Sequence, residues 1–386
     1  MRIMHISTRL ILGGSQENTV LSCEGQADDG HAVSLVFGPI YGPEGSLLDR
    51  ARAHGGIECI ETPHLIRPLQ PLRDLLCRRD LRRLIRDWKP DVVHTHSSKA
   101  GILGRLAAWK ERVPCVVHTI HGLAFHPYQA KWRNAIYIVS ERLAAKRCHR
   151  IICVADAMHD QALAAGIGTR EQYVTVYSGM EVDRFLQPAW SRDSVRAELK
   201  LDEGDFVIGT ISRLAELKGH DDLLDAIGPL MRERSNVKML WVGDGWWRPR
   251  LLRRVSEMGL RDQVLTTGLV PPDEIPKYHQ AMDVVAHMSY REGLPRVVTQ
   301  ALLSGLPVIA YDVDGTREVC IDGETGRLLE PGDIGALAEA ARGMIEHPHE
   351  RAEMGRRGRE LCRQRFAAST MVRQLEEIYE AQLARG

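Results

Sequence analysis

The sequence predicts an α/β protein built as two doubly wound parallel-sheet (Rossmann-like) domains facing across a cleft. Three observations carry this. Short, nearly continuous apolar runs alternate with helical stretches, the pattern of a parallel sheet covered on both faces. The alternation lapses once, at residues 187–205, and then restarts. The length, 386 residues, is too great for one small core and suits two domains of ordinary size. Ligands of such sheets bind outside the carboxyl ends of the strands, so the cleft is the expected site.

The elements follow in order. "RIMHIS" reads as a buried strand from Arg2, "LILGGSQEN" as a loop, then a helix to about Asp28 and the strand "AVSLVFG". Strands are expected at 91–96, 115–120, 150–155 and 173–178, separated by helical segments. "QPAWSRDSVRAELKLDEGD" is polar, contains Pro188 and reads as a linker. The second half supplies strands at 206–212, 238–243, 264–269, 283–288 and 307–312, and two helical segments close the chain from about Ile334. The expected domains are 1–187 and 188–366, with a C-terminal helix at about 367–386 packing back onto the first.

Composition narrows the function classes. Apolar residues make up 44%, as in a folded globular protein. Lys+Arg and Asp+Glu are both 51, so no net field favours nucleic acid as a partner. The eight cysteines form no CxxC pair and read as buried reduced thiols, which favours the cytoplasm. No run of about 18 apolar residues suits a bilayer span. "MRIMHIS" begins directly as a strand, leaving no room for a signal peptide.

Loops at strand ends carry the candidate chemistry. Gly13 and Gly14 precede a helix, where glycine allows close backbone approach and a helix N-terminus favours an anion. The full GxGxxG fingerprint of a dinucleotide site is absent. Arg213 and Lys218, in "SRLAELKGH", are two cations at one strand end and suit a diphosphate: one forks to two oxygens, the other is a point charge. "VGDG", with Gly243, is a further Gly turn. Glu292 precedes "GLP" and a helix start, where the macrodipole favours a carboxylate. Gln300 follows eight residues on, about two turns, and is expected to share its side of the helix.

Two metal readings are weighed and set aside. His94 and His96 share one strand face, with His118 and His121 nearby in sequence, but no carboxylate or Cys completes a ligand set. "DVD" at 312–314 is too short a signal in a Gly-containing turn. No metal and no other cofactor is expected.

Together these loops resemble glycosyltransferase family 4, retaining enzymes of the two-domain GT-B fold. The resemblance covers nearly the whole chain, through "GGSQE", "PDVVHTHSSKAGILGR", "HTIHGLAFH", "YSGMEVDRF", "ISRLAELKG", "VGDG", "SYREGLPRVVTQALLSGLPVIA" and "DGETGRLLEPGD" in the family's order. It implies a nucleotide-sugar donor, with UDP as the family's commonest carrier. It assigns the donor diphosphate to Arg213 and Lys218, with the Gly13–Gly14 loop approaching the phosphates. His121 contacts the donor sugar. Glu292, followed by Gly293, Leu294 and Pro295, bonds sugar hydroxyls, and Leu269 meets the base through its backbone. The family's second Glu, the ribose contact, is here Gln300, which keeps an acceptor oxygen but loses the charge. The resemblance further implies front-face attack, the donor phosphate taking the acceptor proton, and no need for metal.

The acceptor is read less directly. Residues 71–89 form a basic amphipathic helix, with Arg78, Arg82 and Arg86 every four residues, Arg79 and Arg83 beside them, and Leu81, Leu84, Ile85 and Trp88 opposite. Its basic face reads either as solvated or as a contact for anionic lipid head groups or a lipid diphosphate acceptor. The expected partners are therefore a nucleotide sugar and a glycan or lipid-linked acceptor, with an anionic membrane surface as the open case and a place in the cytoplasm or on the inner face of the membrane. Two rivals remain: a sugar-nucleotide epimerase of the same fold, and a degenerate protein that binds the nucleotide sugar without turnover.

Overall fold

The structure, a computed structural model, describes residues 1–40 and 45–385. It comprises two compact units, one of Met1–Met180 with the chain from Ala368, the other of Glu181–Ala367.

The first unit contains β1 (Arg2–Ser7), α1 (Gly14–Asp28), β2 (Ala32–Phe37), α2 (Leu48–Ala53), β3 (Ile57–Glu61), α3 (Pro71–Trp88), β4 (Val92–His96), α4 (Ser98–Lys110), β5 (Cys115–Ile120), α5 (Lys131–Ala145), β6 (Arg150–Cys153), α6 (Asp156–Ala164) and β7 (Tyr173–Thr175). Its seven strands are all parallel, in the order β3-β2-β1-β4-β5-β6-β7. The chain winds outward from β1 to β3, then returns to β1's other side. The order therefore reverses between β1 and β4, where the loops leaving the two strands diverge and leave a crevice.

The second unit contains α7 (Asp183–Leu186), α8 (Arg192–Glu198), β8 (Phe206–Ile211), α9 (His220–Glu233), β9 (Val237–Val242), α10 (Arg248–Glu257), β10 (Val264–Gly268), α11 (Ile275–Ala281), β11 (Val284–His287), α12 (Arg296–Leu303), β12 (Val308–Tyr311), β13 (Gly326–Leu329), α13 (Ile334–Glu346) and α14 (Pro348–Arg365). Its six parallel strands run β10-β9-β8-β11-β12-β13, reversing between β8 and β11. The loops after those two strands carry Arg213, Lys218 and Glu292, so topology alone brings them to one edge.

The last helix, α15 (Ala368–Leu383), lies in the first unit. Met371, Val372, Leu375 and Tyr379 recur at helical spacing and are buried with Ile3, Leu21, Val92 and Cys115. Four such side chains contribute about 1.5–3 kcal/mol each, enough to hold the helix there. Gly386, the end of the expected 367–386 helix, lies outside the described residues.

Three local expectations are corrected. The 187–205 segment is not a linker: it holds α8, and the first unit ends at Met180. Its polar residues are anchors. Arg192 pairs with Asp283 at 2.7 Å, and the buried Arg196 donates to the carbonyls of Ala281, Asp202 and Asp205. Two edge strands, β3 and β13, went unread because they are short and half exposed. Three helices, not two, follow Ile334, because the chain breaks before Pro348 and again at Phe366. All eight cysteines are free thiols, and seven of them are buried. No helix among the described residues is long and apolar enough to cross a membrane.

Candidate active site

In the second unit the loop after β8 turns through Leu217 (φ 60°) and Gly219 (φ 67°). A Cβ on Gly219 would collide with the Met288 carbonyl, so glycine lets this loop lie on the one after β11. Tyr290 N donates to Leu217 O at 2.9 Å, tying the loops together. Lys218 is thereby delivered to Glu292: its Nζ lies 2.7 Å from Glu292 Oε1 and 3.1 Å from Ser289 Oγ. His287, at the end of β11, places Nε2 3.1 Å from the same carboxylate oxygen. Behind Glu292, its own N–H donates to Asp314 Oδ2 at 2.8 Å, and Gly315 N donates to Gly293 O at 3.1 Å.

This surrounding fixes the charge of Glu292. Burial by itself raises its pKa, but Lys218 and His287, through charge and hydrogen bonds, hold the carboxyl well below the usual carboxylate range. The helix dipole, the cause expected from the sequence, is therefore replaced by Lys218 and His287. α12 starts at Arg296 with Pro295 as its N-cap, so Glu292 sits in the loop and shares no helical face with Gln300. Gln300 lies on α12, half-buried. Leu294 is buried beneath the Gly293–Pro295 turn.

Arg213 shares Lys218's loop, with its guanidinium carbon 5.9 Å from the centre of the Trp246 ring. Trp246 and Trp247 both donate their indole N–H to Glu216. Gly243 (φ 134°) ends β9 where a Cβ would strike the Ser212 carbonyl, so the turn packs directly on the Arg213 loop. Gly243 N also donates to Gly268 O at 3.0 Å, which sets Leu269, 74% exposed, beside it at the end of β10. The "DVD" carboxylates go separate ways, Asp312 to the Arg317 guanidinium and Asp314 to the Glu292 backbone.

In the first unit Gly13 is the N-cap of α1 and makes no side-chain cap, and Gly14 is the first helical residue. His121 follows β5, with Nε2 3.1 Å from His96 Nδ1. His94 and His96 are joined by His5 of β1, whose Nδ1 lies 2.9 Å from His96 Nε2. One ring nitrogen from each of these three buried histidines falls within 4.8 Å of the others. The sequence argument against a ligand set considered only carboxylates and cysteines and missed His5. Each of the six ring nitrogens, however, already has a hydrogen-bond partner in Gln26, Tyr379, Thr119, His121 or another member of the trio.

Sequence reasoning thus selected Lys218, Glu292 and Arg213, which the fold gathers at one sheet edge, missed His287, Ser289 and Trp246, and weighed Asp314 only as a metal ligand, whereas it holds the Glu292 backbone. A polar His closing the apolar run "DVVAHM" was the one available signal.

Two Rossmann-like parallel sheets, each reversing beside loops rich in glycine and charge, define an α/β protein of the GT-B class. Residues 13–179 match the family described as glycosyl transferase 4-like domain, and residues 191–361 match glycosyl transferases group 1. Among curated proteins, the chain is 29% identical over 350 residues to the UDP-Gal:alpha-D-GlcNAc-diphosphoundecaprenol alpha-1,3-galactosyltransferase of Escherichia coli, covering 88% of this chain and 87% of that one. It is 25% identical over 339 residues to the capsular polysaccharide biosynthesis glycosyltransferase CapM of Staphylococcus aureus, covering 83% and 85%. Among solved structures, Anabaena Alr3699/HepE in complex with UDP superposes with a TM-score of 0.84 at 23% identity, over 99% of this chain and 100% of that one. The chain belongs to the group 1 glycosyl transferases and is a glycosyltransferase.

Proposed function

We propose that the protein is a retaining glycosyltransferase moving a hexosyl or N-acetylhexosaminyl group from a UDP-sugar to a hydroxyl of a glycan or lipid-linked acceptor, in the synthesis of cell-surface polysaccharide or glycoconjugate. The observation that carries this is the Lys218–Glu292 pair at the reversal of the second sheet. An ammonium has three N–H donors. Lys218 gives two to Glu292 and Ser289, and the third serves a donor phosphate. Glu292 meets both Lys218 and His287 through Oε1, so Oε2 serves a sugar hydroxyl, and the carboxylate stays ionised for that purpose. Support for UDP and for a lipid-linked or capsular acceptor comes from the ligand of the HepE structure and the names of the two relatives.

In this reading the bond from the anomeric carbon to the diphosphate oxygen breaks as the acceptor oxygen bonds the same face. The acceptor proton passes to the departing phosphate. Arg213 and Lys218 stabilise the leaving charge, and His121 and Glu292 hold the sugar. No metal takes part.

The membrane contact belongs to the same proposal. On α3, Leu81 and Ile85 are core, with Leu84 and Trp88 packed against it, as the amphipathic pattern predicts. The first half of the helix departs from that pattern: Leu72 is 80% exposed, and Leu75 and Leu76 are exposed beside Arg73, Arg78 and Arg79. Arg82 is engaged by Glu111 at 2.5 Å. Exposed leucines among arginines suit an anionic bilayer surface, where apolar burial and charge act together, and support the reading of a protein that works on the inner face of the membrane.

The test is a panel of nucleotide sugars, with release of nucleoside diphosphate measured with and without lipid-linked acceptors, and the anomeric configuration of the product read by NMR. Release with an α-linked product from an α-donor is expected. An inverted product ends the retaining assignment, donor isomerised without acceptor product identifies an epimerase, and binding without turnover identifies a degenerate protein.

A further inference from the structure

We propose that Gln26, His5 and His96 form a buried hydrogen-bonded relay that sets the tautomer of His121, keeping its N–H on Nε2 and Nδ1 as the accepting nitrogen of the ring. The consequence for substrate rests on the reading of His121 as a sugar contact. The relay itself is a property of the first unit alone.

The links are continuous. Gln26 Oε1 lies 2.7 Å from His5 Nε2, His5 Nδ1 lies 2.9 Å from His96 Nε2, and His96 Nδ1 lies 3.1 Å from His121 Nε2. The four side chains come from α1, β1, β4 and the loop after β5, that is from three neighbouring strands and a helix packed on the first of them. Gln26 and His5 are fully buried and His96 is 1% exposed, so no solvent competes for these bonds.

Direction follows from donor and acceptor bookkeeping. A carbonyl oxygen only accepts, so His5 Nε2 carries the proton. Burial lowers the pKa of His5 to about 4 and holds His96 well below its ordinary value, so both rings are neutral. A neutral ring with one N–H has one bare nitrogen. His5 Nδ1 therefore accepts from His96 Nε2–H, and His96 Nδ1 accepts from His121 Nε2–H. His121 Nε2 therefore carries the proton of this last bond.

The network continues on the other side of Gln26. Its Nε2 faces the Tyr379 hydroxyl at 3.4 Å, and that hydroxyl lies 2.5 Å from His94 Nδ1. Burial holds His94 neutral and keeps the Tyr379 hydroxyl protonated. Tyr379 O–H then donates to His94 Nδ1, His94 Nε2–H donates to Thr119 Oγ1 at 2.6 Å, and the Tyr379 oxygen accepts from Gln26. With Gln26 so oriented every member is satisfied, whereas turning its amide over would reverse each bond and move the His121 proton to Nδ1. Gln26, His5 and His96 are positioning residues; Tyr379 of α15 meets the first of them only through the long 3.4 Å contact and lies outside the chain that leads to His121.

The experiment uses the full chain labelled with 15N in its histidine rings and reads the tautomer of His121 from long-range proton–nitrogen correlations. The parent protein should show Nε2–H at His121. Gln26→Leu and His5→Phe should each mix or invert the tautomer, and turnover number should fall about two- to tenfold, the worth of a neutral hydrogen bond, with KM for the donor nearly unchanged. Tyr379→Phe removes a buried hydroxyl without cutting the chain and should leave the His121 signal as in the parent. The relay is overturned if the parent carries Nδ1–H at His121, or if both variants keep the parental pattern. Stoichiometric zinc in the purified protein, whose chelation shifts the His5 and His96 signals, also overturns it, because those nitrogens would then be ligands. Absence of sugar transfer by the parent ends the functional reading but leaves the tautomer measurement to decide the relay.

Discussion

Lys218 Nζ and Glu292 Oε1, 74 residues apart in the chain, lie 2.7 Å apart where the second sheet reverses. Glu292 is mostly buried, and His287 approaches the same oxygen. Lys218→Met therefore deprives the carboxylate of its main partner and the phosphate of its cation. Hydrogen bonds to charged groups are worth about 1.5–3 kcal/mol, so turnover should fall roughly 10- to 150-fold. Glu292→Gln should lower turnover much more than affinity for free UDP, because its partner is the sugar. Steady-state kinetics with calorimetry separates the two. Parental kinetics in both variants would remove the pair from the site.

Gln300 tests the ribose contact. Gln300→Ala should weaken binding of the bare nucleotide by about 0.5–1.5 kcal/mol, the net value of a neutral hydrogen bond. Gln300→Glu should tighten it if the pocket is built for a carboxylate, and worsen it if the new charge is buried without a partner. Equal nucleotide affinity in all three proteins means that residue 300 does not touch the donor.

Metal independence is checked with chelator. Activity in excess EDTA should equal activity in magnesium. Loss restored by added metal would contradict the proposal and direct attention to the His5, His94 and His96 trio, since Asp312 is already held by Arg317.

Stability should fall in mild acid. Burial lowers the pKa of His5 and His220 to about 4 and of His279 to about 3, and also lowers His94, His96 and His118. Below an unfolded-state value of about 6.5, the unfolded chain binds these protons and the folded chain does not. Unfolding free energy therefore drops as pH falls through that range, by up to about 1.4 kcal/mol per pH unit for each such group. Glu376 acts oppositely: burial, Asp29 and Glu380 raise it to about 7, so it favours the folded state as pH falls from there towards its ordinary value. Six groups against one set the sign. Thermal melts at pH 7.5 and 5.5 should show a clear loss at the lower value, and equal melting temperatures would mean that the histidines are accessible.

Vesicle binding tests α3. Replacing Arg73, Arg78 and Arg79 with Gln should weaken binding to anionic vesicles by about 1 kcal/mol per residue at low salt. Leu72→Ser with Leu75→Ser should weaken it further without changing UDP affinity. A parent protein that ignores anionic vesicles at low salt leaves α3 a solvated helix.

Strands with nearly continuous apolar runs were legible: "CVVHTI" is β5 without adjustment, and "FVIGTIS" loses one residue to become β8. α8 was not, because Arg192 and Arg196 look like solvated charge until the Gln280, Ala281 and Met282 carbonyls and the Asp283 carboxylate, more than 80 residues away, are in place. The edge strand "IECIE" was missed because its apolar residues are interrupted by charge and only Ile57 is fully buried.

At the site, the sequence by itself determined which residue types stand at strand ends, since strand periodicity and Gly turns are local properties. Arg213, Lys218, Glu292 and His121 were therefore visible as chemistry. Only the tertiary structure decided whom each one meets. Lys218 turns to Glu292, Asp314 to the Glu292 backbone, and His5 joins a histidine pair from a strand 91 residues away from its partner. The physical reason is the parallel sheet itself. Its neighbours are set by crossovers rather than by chain order, and a short-range hydrogen bond or ion pair between such neighbours leaves no periodic trace in the sequence.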